Sequence, residues 1–304
     1  MIKAVETNEI VKVYRGKQEI QALKGVSLSI DNGSLFTLLG QNGAGKTTFL
    51  RIISTQLLPT KGEAFVLGLN VDTQEEEIRQ HITVVPQDVA TYGNFTPWEY
   101  CYYFTLLRGL SKHEAEETSK KALRSLGLWD QRNRTCATLS GGERKRAVIS
   151  SALASNAEVL MLDEPTSGLD ALARREDWSI LRGLVKRGKT ILLTTHIMEE
   201  AEMISDKVAV MHKGMIIAEG TPERIKHLSK DRFRVAVEGS LNDLGMNEDD
   251  SNTVKLGNKF LIYYKDEDEA LELVAKALKR GMRAEIAPVT LEDAFVKLVG
   301  GDGD

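Results

Sequence analysis

Gly40-Gln41-Asn42-Gly43-Ala44-Gly45-Lys46-Thr47 follows directly on the apolar run Leu35-Phe36-Thr37-Leu38-Leu39, and this junction decides the fold. A buried strand that runs into a glycine-rich turn and then a helix is a device for holding phosphate. The glycines let successive backbone N–H groups curl around anionic oxygens at torsions other residues resist. The helix that follows points its positive end at the same anion. In the pattern G-x-x-x-x-G-K-[ST] the lysine reaches the β- and γ-phosphates and the hydroxyl ligates Mg²⁺. Those roles fall here to Lys46 and Thr47, with Thr48 beside them. The expected ligands of this turn are a nucleotide and Mg²⁺.

Farther along, Val159-Leu160-Met161-Leu162 is a second apolar strand, and it ends in Asp163-Glu164. Carboxylates at the C-terminal end of such a strand face the crevice where α/β proteins bind ligands. Asp163 is the candidate holder of Mg²⁺ and Glu164 the candidate base for the attacking water. Taken alone, the pair also suits a solvated turn before Pro165. A third run, Thr190 to Thr195, ends in His196, a candidate γ-phosphate contact or a structural residue at a strand end. Gln87, after Ile82 to Val85, can reach Mg²⁺ or the lytic water, although most glutamines are surface residues.

The bulk properties narrow the class. The chain has 304 residues, enough for one large domain and a smaller one. A net charge of −4 disfavours a dedicated nucleic-acid binder. Cys101 and Cys136 have no metal-ligand spacing and read as ordinary thiols. The N-terminus shows no apolar signal segment, and no run approaches the length of a membrane helix. Action at a membrane would therefore need a second protein.

Period-two patterning over the first ~30 residues predicts antiparallel strands, with a turn at Asp31-Asn32-Gly33. The stretch from Glu75 to Leu128 reads as largely helical, with a capping box at Ser111 to Glu114 and a stop at Gly127. A charged helix around Arg174 to Lys186 between two buried strands implies a parallel sheet covered by helices. Composition shifts near Thr221-Pro222-Glu223. Strands at 233–237, 260–264 and 284–287 and helices at 267–280 and 291–299 then predict a small α+β unit. Thr290 and Asp293 cap its last helix, an acidic loop spans Asn247 to Asp250, and Gly300 to Asp304 form a tail.

At Leu139-Ser140-Gly141-Gly142-Glu143 the chain resembles the ABC ATPase family, since this second glycine-rich helix start looks like that family's signature. The resemblance covers about residues 3–224 and brings its elements in order. Tyr14 matches the adenine-stacking aromatic, or else is a core tyrosine. Gln87 matches the Q-loop, Ser167-Gly168-Leu169-Asp170 the D-loop, and His196 the switch histidine. The fold it implies is α/β: a P-loop core with an antiparallel β subdomain and a helical subdomain at about 88–155, in a domain of residues 1–224. An accessory α+β domain takes 225–304. It further implies a head-to-tail dimer in which Ser140, Gly141, Gly142 and Glu143 of one copy close on the ATP of the other, with Asp170 at the interface. Transmembrane permease subunits would be the partners, placing the chain in the cytoplasm on the inner face of the cell membrane. No nucleic-acid partner is implied. The aromatic segment Asn94 to Leu110 is the candidate docking patch.

Three positions depart from the family pattern: Gln41, Glu143 and Ala171. A carboxylate at 143 would repel a phosphate, which puts that contact in doubt. The ending Thr290 to Gly300 looks like the export branch, whose members include daunorubicin-resistance and sodium-extrusion ATPases. The competing readings are an ATPase acting on ribosomes or DNA, and a regulator that binds ATP with little turnover. A single cassette without sustained heptads or a basic tail argues against the first, and intact Glu164 and His196 against the second.

Overall fold

A computed structural model describes residues 2–87, 94–247 and 252–300. These residues divide into two compact units, Met1–Glu219 and Gly220–Asp304. The division precedes the expected 224/225 boundary, so the short helix that opens at Pro222 lies whole in the second unit.

The first unit begins with β1 (Val5–Tyr14) and β2 (Ile20–Ile30), paired antiparallel from Val5↔Ile30 to Tyr14↔Ile20, as the alternation predicts. β3 (Leu35–Leu39) is buried along its whole length and leads into α1 (Lys46–Ile53), which turns Phe49, Leu50, Ile52 and Ile53 inward. β4 (Lys61–Val66) and β5 (Leu69–Asn70) complete a sheet of order β2-β1-β4-β5. α2 (Glu75–His81) leads into β6 (Ile82–Val85), so the stretch expected to be largely helical contains a strand. Its three apolar residues and the buried Thr83 fill the last position of the parallel sheet, where burial on both faces leaves no alternation.

α3 (Pro97–Leu107), α4 (Lys112–Ser125) and α5 (Gly141–Ala154) follow. Each opens on a complete capping box, Thr96 with Glu99, Ser111 with Glu114, and Ser140 with Glu143. In each box two N–H groups that a helix start would otherwise orphan find partners. Gly127 takes a φ of +67° just past the α4 cap, as a helix stop requires.

β7 (Val159–Asp163), α6 (Ala171–Val185), β8 (Thr190–Thr195), α7 (Met198–Ile204), β9 (Lys207–His212) and β10 (Met215–Gly220) finish the unit. The second sheet runs β10-β9-β3-β8-β7-β6. β3 pairs parallel with both β8 and β9, and β7 pairs parallel with β8 and β6. The phosphate-turn strand is therefore central, and the ends of β3, β7 and β8 emerge side by side. One core joins β1, β2 and α1 to the near face of this sheet, and another packs Trp178, Leu181 and Ile149 of the covering helices on the far face. Each large apolar side chain so buried contributes roughly 1.5–3 kcal/mol.

In the second unit α8 (Pro222–Lys226) precedes β11 (Phe233–Glu238), β12 (Thr253–Leu256), β13 (Lys259–Tyr264), α9 (Glu267–Lys279), β14 (Arg283–Pro288) and α10 (Leu291–Gly300). The sheet order is β12-β13-β11-β14, all antiparallel. Ala270, Leu273 and Ala277 of α9 pack on Val235, Val237, Phe260 and Ile262. Thr290 caps α10 by accepting from the Asp293 N–H at 3.3 Å, and the Asp293 carboxylate accepts in return from the Thr290 N–H at 2.8 Å. The same carboxylate takes hydrogen bonds from Tyr263 at 2.8 Å and Arg234 at 3.2 Å. Of the acidic loop, 248–250 lie outside the described residues, as do 301–304 of the expected tail.

Candidate active site

The phosphate turn is locked from behind. The Gly40 N–H donates to the Thr195 carbonyl at 3.1 Å, and Gly214 donates to the Ala44 carbonyl at 2.9 Å. A Cβ on Gly40 would lie 2.4 Å from the Met211 carbonyl oxygen, so only glycine lets β3 and β9 close together there. Gly45 sits at φ +112° immediately before α1, a torsion that side chains resist. Gln41, Asn42 and Gly43 are exposed on the rim, while Ala44 is buried.

Lys46 is 5% exposed, and its ammonium donates to the carbonyls of Gly40 at 2.7 Å and Gln41 at 3.1 Å. It also pairs with Glu164 at 3.3 Å. Two buried opposite charges cost desolvation that their attraction must offset. An incoming anion would take over the lysine that the carboxylate now neutralises.

Around Glu164 the ends of three strands converge. Its Oε2 accepts from Gln87 Nε2 at 3.2 Å and lies 3.1 Å from His196 Nδ1. The Glu164 N–H donates to the Thr194 carbonyl at 3.0 Å. Its φ is +47°, a left-handed torsion uncommon for a side-chain residue and a form of strain that functional sites store. Asp163 is 4% exposed and accepts from the Thr47 hydroxyl at 2.9 Å and from the Thr194 hydroxyl. Thr47, Gln87 and Asp163 line a cleft of about 340 Å³ with Leu50, Arg51, Gln56, Val84 and Pro86.

These residues suit a magnesium nucleotide. Thr47 and Asp163 present a hydroxyl and a carboxylate as adjacent hard oxygen donors, and Gln87 adds an amide on the same cleft. Among the described residues no cluster of three His, Cys, Asp or Glu forms a metal cage. A site with few protein ligands is what Mg²⁺ uses when phosphates and waters complete its shell.

Tyr14 is 39% exposed, and its hydroxyl lies 3.4 Å from that of Thr48, which places an open aromatic face by the start of α1. The Lys12 ammonium sits 5.7 Å from its ring centroid.

The serine-glycine turn forms a separate cluster. Ser140 caps α5 by accepting from the Glu143 N–H at 3.2 Å, and the Ser140 N–H donates to Glu143 Oε2 at 2.8 Å. The Ser140 backbone bond, more than its partial burial, holds the Glu143 carboxyl below the usual carboxylate range. Glu143 thus spends its charge on its own helix end. Gly142 lies near Leu169, where a Cβ would have an ordinary 3.5 Å contact. Asp170 caps α6 by accepting from the Ala173 N–H at 2.9 Å. In the aromatic segment Cys101 and Thr105 are buried while Phe95, Tyr103 and Leu107 are exposed, Leu107 at 87%.

Sequence reasoning missed several supports. Lys145 donates to the carbonyls of Glu164 at 3.1 Å and Ser167 at 2.9 Å. Glu200 is fully buried and accepts from Thr166 at 2.8 Å and from the Trp178 indole at 2.9 Å. Burial pushes its carboxyl up, against those hydrogen bonds. The Thr194-Thr195 pair at the end of an apolar strand was the one visible hint, because hydroxyls there need partners.

Residues 23–167 match the family described as ABC transporter. The chain is 38% identical over 224 residues to the Daunorubicin/doxorubicin resistance ATP-binding protein DrrA of Streptomyces peucetius, covering 74% of this chain and 67% of that protein. It is also 38% identical over 226 residues to ATP-binding cassette sub-family A member 17 of Rattus norvegicus, but that stretch is 13% of the much longer relative. Among solved structures, a dimeric ATP-binding cassette in a post-hydrolysis state bound to ADP and Pi superposes with a TM-score of 0.65 at 27% identity, over 71% of this chain and 98% of that one.

Proposed function

This chain belongs to the ABC transporter family and is an ATPase, and we propose that it powers a separate membrane permease by ATP-driven closure of two copies. The observation that carries this reading is the buried Glu164, gathered with Lys46, Gln87 and His196 beside the Thr47–Asp163 pair. In that arrangement Lys46 binds the terminal phosphates, and Thr47 with Asp163 holds the magnesium ion. Glu164 accepts the proton of the attacking water, and Gln87 and His196 orient that water and the γ-phosphate. Tyr14 stacks on adenine. Ser140, with Gly141 and Gly142, meets the nucleotide of the second copy, and Asp170 lies at the seam.

No helix among the described residues is long and apolar enough to cross a membrane. In this reading the permease is a distinct partner. The exposed Phe95, Tyr103 and Leu107 are offered as its docking patch. The likeness to a daunorubicin/doxorubicin resistance protein points toward export. Two measurements test the reading. Light scattering on the purified chain with a non-hydrolysable ATP analogue should show a dimer, and a monomer under saturation removes the sandwich. Purification from membranes should bring along a multi-span protein, and recovery of an active, partnerless chain argues against transport.

A further inference from the structure

The loop after Glu164 is tied to the signature helix by one side chain. Lys145 lies on the first turns of α5, five residues from Ser140, and its ammonium reaches across to the carbonyl oxygens of Glu164 at 3.1 Å and Ser167 at 2.9 Å. A charged donor on two carbonyls makes stronger bonds than neutral pairs do. The Glu164 carbonyl also accepts from the Ser167 N–H at 3.2 Å, so the same oxygen closes the turn. Glu164 is the residue held at φ +47°, and such a torsion persists only where its surroundings fix it. Lys46, Gln87 and His196 hold the carboxylate end, and Lys145 holds the backbone end.

We propose that Lys145 is a positioning residue that couples the serine-glycine turn to the catalytic base of its own chain. The inference rests on the sandwich reading, in which Ser140 meets the second copy's nucleotide. A shift of α5 on that contact moves Lys145 with it, and Lys145 carries the shift to the Glu164 backbone. Each site's water-activating carboxylate then reports whether the other site is filled. Arg146 stiffens the connection, since its guanidinium bonds Asp177 and Glu176 of α6 at 2.7 Å each.

The test compares wild type with Lys145→Met and Lys145→Arg as full chains. Three quantities are measured: ATP turnover, affinity for a fluorescent ATP, and dimer formation with a non-hydrolysable analogue. A base displaced by a fraction of an ångström to one ångström loses up to about a hundredfold, so Lys145→Met should lower kcat by about 10- to 100-fold. Nucleotide affinity should stay within about twofold, the dimer should still form, and Lys145→Arg should recover most of the rate because its fork can reach both carbonyls. Turnover of Lys145→Met close to wild type overturns the coupling, as does a parallel fall in affinity or a lost dimer in that variant alone. A wild type that stays monomeric overturns the sandwich and the coupling with it, a distinguishable result. Should Lys145→Met fail to fold, Lys145→Leu, which likewise removes the donor, undergoes the same measurements with the same criteria.

Discussion

Replacing Glu164 by glutamine keeps the volume and one acceptor oxygen but removes the negative charge. The carboxylate is 5% exposed and stands 3.3 Å from Lys46, 3.2 Å from Gln87 and 3.1 Å from His196, so no bulk water replaces its role. A positioned base contributes about 10²–10⁴ in rate. At about 1.36 kcal/mol per tenfold, that is roughly 2.7–5.4 kcal/mol of lost transition-state stabilisation. Binding should move the other way. Lys46 keeps the Gly40 and Gln41 carbonyls but loses its one carboxylate partner among the described residues, and a triphosphate is free to take that place. ATP affinity should be unchanged or up to about tenfold tighter, which is 1.4 kcal/mol. Single-turnover phosphate release with protein in excess gives the chemical step, and a fluorescent-nucleotide titration gives affinity. A rate within a few-fold of wild type would refute Glu164 as the base. A collapse of binding together with rate would make it structural instead.

Thr47→Ala removes the hydroxyl that bonds Asp163 and should raise the Mg²⁺ concentration for half-maximal turnover by about tenfold, read from a magnesium titration at saturating ATP. Glu143→Gln keeps the capping box, so turnover should stay within about threefold of wild type, and a large gain would mean that the native carboxylate does oppose a phosphate. Asp31, paired with Lys207 and Lys3, has its carboxyl drawn down to about 2. Its folded value lies below its unfolded one, so its stabilisation is full above about pH 4 and is lost as pH falls through 2. Because this side chain is 42% exposed, screening limits the effect to about 1 kcal/mol, and Asp31→Asn should flatten urea midpoints between pH 4 and 2. Asp293→Ala removes the side-chain half of the α10 capping box and leaves Arg234 and Tyr263 without their acceptor. Hydrogen exchange across residues 220–300 should report about 3 kcal/mol less protection.

The parts of the fold that the sequence announced are those where local chemistry and tertiary role coincide. Leu35–Leu39 before a glycine turn, Val159–Asp163 before two carboxylates, and Ser111 with Glu114 each carry their reason within a few residues. Ile82–Val85 was harder, because three apolar residues and a threonine between a helix and a loop show no period, and its strand state comes from β7 beside it. In the site, Lys46, Thr47, Asp163, Glu164, Gln87 and His196 were legible from position, whereas Lys145 and Glu200 were not. Both act through contacts 19 to 34 residues away, and in the sequence they are ordinary members of charged helices. The doubt over Glu143 had a local answer, since an acid three residues after a capping serine prefers the backbone N–H it can reach.

A hydroxyl has one hydrogen and two lone pairs, and at Ser140 a lone pair steadies its own helix while the hydrogen is engaged by the Glu143 carboxylate. That hydrogen has to leave the carboxylate before it can serve a visitor. If two copies meet across a nucleotide, each exchanges one hydrogen bond for another at that helix end, and each grip is worth only the difference between the two. Such a clasp engages and lets go readily, which is the property a cycling engine needs from its moving joint.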